Sequence, residues 1–244
     1  MVLSFPDYVP VDLVHNVGLV IGAIMVVLVL YEFFRWRGVL APVFKGFRLG
    51  AGRWLGILAS TTMKDIIYQQ ISQKCPDKKW FAHSLVFWGF LFLTASTTLN
   101  YITNPEGGPL PITDTVRILG NLGGAMLLSG LLIVLFRISS DRDKREVTFG
   151  ADYLFIGLLL VATVTGFLSE FASEFNSVEW IFPVYVTHLF LSAALLILAP
   201  FSRFIHAFGR PVIRLAERYL EALSQQGIVK PSEVTIIPLL SEER

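Results

Sequence analysis

The chain has 244 residues, 54% of them hydrophobic and only 16% charged, with a formal net charge of +1 at pH 7. That apolar excess is too large for a soluble domain of this length, and the near-neutral charge gives no support to a nucleic-acid binder. The single cysteine, Cys75, is expected to be a free thiol; it excludes an internal disulfide and a thiolate cluster set, and no C-x-x-C-H attachment motif occurs.

A bilayer core of roughly 30 Å needs about 20 apolar residues in a helix. Five segments meet that requirement: Leu13 to Phe34, Trp80 to Tyr101, Ile118 to Phe136, Phe149 to Leu168 and Ile181 to Phe204. The N-terminus lacks the basic region and small-residue cleavage site of a secretory signal, so the first segment is expected to be a retained span. The expected architecture is all-α: an integral membrane bundle of five transmembrane helices over residues 1–210, followed by a C-terminal tail, 211–244. The connections alternate in charge. Arg35 to Lys79 carries nine basic residues and two acids; Ile102 to Arg117 carries one Arg and two acids. Arg137 to Val147 carries four basic residues; Ser169 to Trp180 carries Glu170, Glu174 and Glu179 and no base. Basic connections stay in the cytoplasm, which places the N-terminus outside and the C-terminus inside a cell membrane. Trp80, Tyr101, Trp180 and Tyr185 stand near span ends, as interfacial aromatics do.

The first inner connection, about 38–79, is long. Its stretch Arg53 to Gln73 mixes Trp54, Leu55, Ile57, Leu58, Met63, Ile66 and Ile67 with charges, which reads as a helix on the membrane surface or against a partner. Pro211 to Gln225 shows helical spacing through Ile213, Leu215, Leu220 and Leu223.

All four histidines sit at or just inside span ends: His15 and His188 on the outer side, His83 and His206 on the inner side. His188 and His206 are 18 residues apart, which in one continuous helix is five full turns and about 27 Å. One face of the fifth span would then offer an imidazole near each membrane surface, with Ser192, Leu195, Ala199 and Ser202 between them. Spans two and five run in opposite directions, so His83 comes level with His206, and His15 with His188. Paired imidazoles across a bundle can clamp a haem iron. A lone His at a span end is also an ordinary interfacial residue, and proton-pathway or quinone-site roles remain open.

The segment His188-Leu-Phe-Leu-Ser-Ala-Ala-Leu-Leu-Ile-Leu-Ala-Pro-Phe-Ser-Arg-Phe-Ile-His206 resembles the fifth span of the respiratory nitrate reductase gamma subunit, where two histidines 18 residues apart flank a Pro-Phe-Ser-Arg segment, here Pro200 to Arg203. His83-Ser-Leu-Val-Phe-Trp-Gly-Phe90 is similar to the second span of the membrane cytochrome b of heterodisulfide-reductase-like complexes. The preceding Lys64-Asp-Ile-Ile and Lys78-Lys-Trp-Phe-Ala-His83 favour this second group. The resemblance extends over residues 10–215. It implies b haem between spans two and five, two such groups or one at minimum. It also implies exchange with quinone near the outer face, either menaquinone or ubiquinone, and a cytoplasmic iron–sulfur partner in a respiratory electron-transport complex. Carried over by position, His83 and His206 match the inner haem ligands, and His188 matches a ligand of the outer haem. One departure stands out. Where the nitrate reductase pattern has a second His ten residues after the first in span two, this chain has Leu93. Either His15 substitutes, or the outer haem is five-coordinate, or it is absent.

Cationic company for haem propionates is expected from Arg35, Arg37, Lys79, Arg203 and Arg210, with Arg203 the best candidate because it lies three residues before His206. Asn100, Arg117, Glu170 and Tyr185 are candidates to line an outer quinone site. Gly120, Gly123 and Gly124 either admit a haem edge or simply pack helices. The expected function is that of a membrane-anchoring cytochrome b in a larger complex. The alternative is a haem-free structural anchor for a soluble redox enzyme. A transporter is disfavoured by the near absence of mid-membrane acids and bases, and a hydrolase or phosphate-binding enzyme by the absence of G-x-S-x-G and Walker A motifs.

Overall fold

The computed structural model describes residues 9–35, 50–69, 79–108, 110–141, 150–175, 178–202 and 206–227. Among the described residues every regular element is helical. In chain order these are α1 (Val11–Arg35), α2 (Ala51–Thr61, running on as a π-turn Thr62–Ile67), α3 (Lys79–Thr103), α4 (Thr115–Ser140), α5 (Gly150–Glu174), α6 (Val178–Leu198, then a 3-10 turn Ala199–Phe201) and α7 (His206–Gln225). Five of them, α1, α3, α4, α5 and α6, are long and apolar enough to cross a membrane. The protein is therefore an all-α, multi-pass membrane chain, as its apolar segments require.

Large apolar side chains such as Val20, Leu30, Leu132, Leu154 and Phe190 face outward. In lipid that exposure carries no penalty, whereas an unsatisfied polar group does. The hydroxyls within the spans are satisfied accordingly. Thr94, Thr98, Thr163 and Thr165 each donate to the carbonyl four residues back, at 2.7–2.9 Å. Helix α4 is started by Asp114, whose side chain accepts from the Val116 N–H at 2.8 Å.

Two compact units are formed by residues 1–25 with 76–202 and by residues 26–75 with 203–244. In the first, α3 lies along α4, α5 along α6, and α4 also meets α5. Leu127, Leu131, Leu159 and Leu195, from α4, α5 and α6, make its buried centre, with Val86 and Leu93 of α3 packed against them. The α3–α4 contact is backbone to backbone. A Cβ on Gly89 would sit 2.6 Å from the Leu127 nitrogen and 2.7 Å from the Gly123 carbonyl oxygen. One on Gly123 would sit 2.9 Å from the Leu93 nitrogen, and one on Gly130 2.9 Å from the Val86 nitrogen. Gly120, Gly123 and Gly124 thus pack helices: against Ser96, against α3 and against Phe167 of α5, respectively.

In the second unit, α7 places Ala216, Tyr219, Leu220 and Leu223 on one face, packed against Trp54 and Ile57 of α2 and Phe33 at the end of α1. Arg218 ties the pair, 2.9 Å from Asp65 and 3.3 Å from the Ser60 hydroxyl. Within the stretches expected to be helical, helix forms over Ala51–Ile67 and His206–Gln225, residues 70–73 lying outside the described residues, and the two apolar faces cover each other.

One expectation needs correction. The fifth span is not a continuous helix from His188 to His206. Helix α6 ends at Leu198, a 3-10 turn follows, and Ser202 is extended at φ −100° and ψ 175° before α7 starts at His206. Pro200 is the cause: it has no N–H to donate and its ring collides with the carbonyl four residues back. The 100° phase therefore does not carry through to His206, and the shared face and 27 Å separation do not follow.

The backbone contact of α3 with α4 makes a ranked prediction. Gly89→Ala and Gly123→Ala should each destabilise the purified protein by about 1–3 kcal/mol through overpacking, read as a lower midpoint in a detergent thermal or denaturant melt. Gly18→Ala in α1, where a Cβ meets open space, should leave the midpoint unchanged or raise it slightly.

Candidate functional site

Helix α5 is the element on which the polar side chains of the first unit converge. Its residues Ala162, Thr165, Gly166, Ser169 and Glu170 recur at helical spacing, so they form one strip. His188, half-buried on α6, lies over this strip. Its Nδ1 donates to the Ala162 carbonyl at 2.9 Å and is 3.3 Å from the Thr165 hydroxyl. A carbonyl oxygen only accepts, so that nitrogen carries the proton; the same Ala162 oxygen also accepts from the Thr165 hydroxyl at 3.0 Å. The ring approaches because residue 166 is glycine: a Cβ there would be 3.1 Å from His188 Cε1. The tautomer so fixed leaves Nε2 as the basic nitrogen, the form in which histidine binds metal.

One turn further along α5, Glu170 meets Arg117 and Asn121 of α4. Glu170 Oε1 accepts from Arg117 Nε at 2.9 Å, from Arg117 Nη2 at 2.6 Å and from Asn121 Nδ2 at 3.0 Å. Glu174 Oε2 accepts from Nη1 and Nη2 of Arg117, each at 3.1 Å, and the Leu110 carbonyl accepts from Nη1 at 3.1 Å. All three guanidinium nitrogens are engaged. An arginine near the end of an apolar helix is thereby held in place by two carboxylates on the neighbouring span. The sequence shows Arg117 and Glu170 as separate candidates. Their pairing, and the parts played by Glu174 and Asn121, emerge only in the fold. The available signal was charge: the one base in its connection faces a connection with three acids and no base.

The other candidates are placed as follows. His15 on α1 is stacked edge-on to Tyr101 of α3, with centroids 4.7 Å apart; among the described contacts none joins it to His188. His83 is exposed, one turn into α3. His206 is the first residue of α7; its side chain and that of Lys79 lie outside what the structure describes, as do Arg203 and Arg37 entirely. Arg35 pairs with Glu32 at 2.9 Å. Asn100 accepts from Asn104, whose side-chain amide also donates to the Gly108 carbonyl, which ties it into the α3–α4 turn. Tyr185 is half-buried on α6, and Arg210 is exposed on α7. Among the described residues no three of His, Cys, Asp and Glu converge to hold a bare metal ion.

No family model matches the chain, and no solved structure does. Among curated proteins it is 28% identical, over 171 residues, to a subunit of the dihydromethanophenazine:CoB–CoM heterodisulfide reductase of Methanosarcina acetivorans. It is also 28% identical, over 171 residues, to the corresponding subunit from Methanosarcina thermophila. Each match covers 63% of this chain and 64% of the relative, so the chain spans somewhat less than two thirds of these proteins. It is 32% identical over 136 residues to citrate utilization protein B of Escherichia coli, covering 52% of this chain and 34% of that protein. By these matches the chain resembles the heterodisulfide-reductase-like family, in which its relatives are one component of a multi-subunit redox enzyme.

Proposed function

We propose that this chain is the b-haem-carrying membrane component of an oxidoreductase complex. In this reading it passes electrons between a lipid-soluble two-electron carrier and a cytoplasmic iron–sulfur partner. The relatives' names supply the frame, a reductase with a reduced phenazine as donor and a disulfide as acceptor; for this chain the carrier is a quinol or a molecule of similar chemistry. The observation that carries the haem assignment is His188, whose Nδ1–H is spent on the Ala162 carbonyl so that Nε2 is left as a ligand nitrogen.

A b haem needs axial nitrogens and no covalent tether, and His188 is the ligand nitrogen that supports the reading. By the resemblance, His83 and His206 match the ligands of an inner haem, the His206 side chain and Arg203 lying outside the described residues, and His188 matches a ligand of an outer one. His15 is the candidate for the sixth position there, and its contact with Tyr101 places it on the α3 side of the bundle. Bound between two imidazoles, such a group supplies one-electron transfer and no open coordination site. The protein's own part is to orient the imidazoles, exclude water along the spans and hold protons at the membrane face. The long basic connection after α1 and the Arg137 to Val147 connection belong on the cytoplasmic side by their charge, where the partner would dock.

Two outcomes test this. The natively purified complex should show b-type bands in its reduced-minus-oxidised spectrum. His188→Ala and His83→Ala should each remove one haem of two, and His15→Ala should change the haem that His188→Ala removes. A complex free of haem would leave only a membrane anchor. The orientation is tested through the lone thiol: Cys75, in the basic connection, should react with a membrane-impermeant maleimide in inverted vesicles but not in intact cells. Labelling in intact cells would reverse the topology.

A further inference from the structure

Helix α2 has two unlike faces. On one, Trp54 and Ile57 pack against α7, and Thr61 is buried. On the other, Leu55, Ala59 and Met63 recur every fourth residue and form one ridge. Leu55 is 58% exposed and Met63 52%, so the chain's own fold does not cover this ridge. Gly52 and Gly56 lie beside it, and a Cβ on either would meet nothing within 4 Å. Arg53 and Lys64 are exposed as well, and the carboxylate next to Lys64, that of Asp65, is taken by Arg218.

The level of α2 follows from its core. Phe33, two residues before the end of span α1, packs against the same buried cluster as Trp54 and Ile57. Helix α2 is therefore held where that span leaves the bilayer. The same end of α1 carries exposed Leu30 and Phe34, which face lipid. An apolar ridge at this level meets acyl chains, whereas in water it would be costly. A protein-docking face is anchored by aromatic side chains and arginine; this ridge is leucine, alanine and methionine with glycines beside it.

We infer that α2 lies in the headgroup layer at the basic end of α1. Its Leu55–Ala59–Met63 ridge enters the acyl boundary, Arg53 and Lys64 meet the phosphates of anionic lipid, and α7 covers the other face. By the charge of the connections this is the cytoplasmic leaflet. The inference is independent of the haem assignment, and it leaves the ridge to lipid rather than to a soluble partner.

The test is the depth of nitroxide labels on the full chain in vesicles of phosphatidylcholine and phosphatidylglycerol. Leu55→Cys, Met63→Cys, Arg53→Cys and Lys64→Cys are made singly with Cys75→Ser. Leu30→Cys on α1 serves as the lipid reference and Glu221→Cys, exposed on α7, as the water reference. Collision with oxygen is compared with collision with a water-soluble nickel chelate by electron paramagnetic resonance. The labels at 55 and 63 should favour oxygen, at a depth of about 5–10 Å into the headgroup and acyl boundary, and those at 53 and 64 should favour nickel. Preference for nickel at 55 and 63 overturns the inference and gives the ridge to a soluble partner. Protection from both reagents overturns it in favour of a second copy of the chain. In vesicles of phosphatidylcholine alone both ridge labels should sit shallower, and Arg53→Gln/Lys64→Gln should give that shallower depth in either lipid. Equal depth in the two lipids overturns the contact with anionic headgroups.

Discussion

The close approach of α3 to α4 is the constraint on which the rest of the first unit depends. Gly89, Gly123 and Gly130 present no side chain of their own to the seam, so the main chains of the two spans approach closely there. In a membrane, where apolar burial does not drive one helix toward another, such contacts and the dispersion they permit are what holds spans together. Once α4 is fixed, Gly124 receives the ring of Phe167 and sets α5. Next to Phe167 on α5 is Gly166, which receives His188 of α6. Glu170, one turn beyond, receives Arg117 and Asn121 of α4. A single stretch of α5 therefore ties the packing of three spans to one strip of polar groups.

The polar groups follow the same logic. A histidine in the middle of α6, and an arginine and two glutamates at the ends of α4 and α5, would each be costly without partners. His188 has the Ala162 carbonyl, and the Arg117 nitrogens are all bonded. Among the described contacts, the second ring nitrogen of His188, Nε2, has no hydrogen-bond partner.

Much of this was legible in the sequence, because a bilayer sets a length that apolar runs must meet. The five spans follow from that; the helical character of the connection and the tail follows from apolar residues at helical spacing, whereas their packing on each other emerges only in the fold. Helical phase is lost at Pro200: counting 18 residues from His188 to His206 assumes an unbroken helix, and the proline within the same motif breaks it. The glycines of α4 were visible, but which neighbour each one faces depends on how α3 and α5 are rotated, and the weak amphipathicity of a lipid-facing helix does not encode that rotation. The Arg117–Glu170 pair joins residues 53 apart in sequence; charge counting gave the complementary connections, and only the packing of α4 on α5 gave the partners.

The central claim is axial ligation of haem by this chain's histidines, and near-infrared magnetic circular dichroism of the oxidised, natively purified complex addresses it most directly, because the charge-transfer band reports the pair of axial ligands. The predicted result is a low-spin bis-imidazole signature that is lost in proportion as His83 and His188 are replaced. A high-spin or methionine-ligated signature, or a bis-imidazole band indifferent to both replacements, would contradict it.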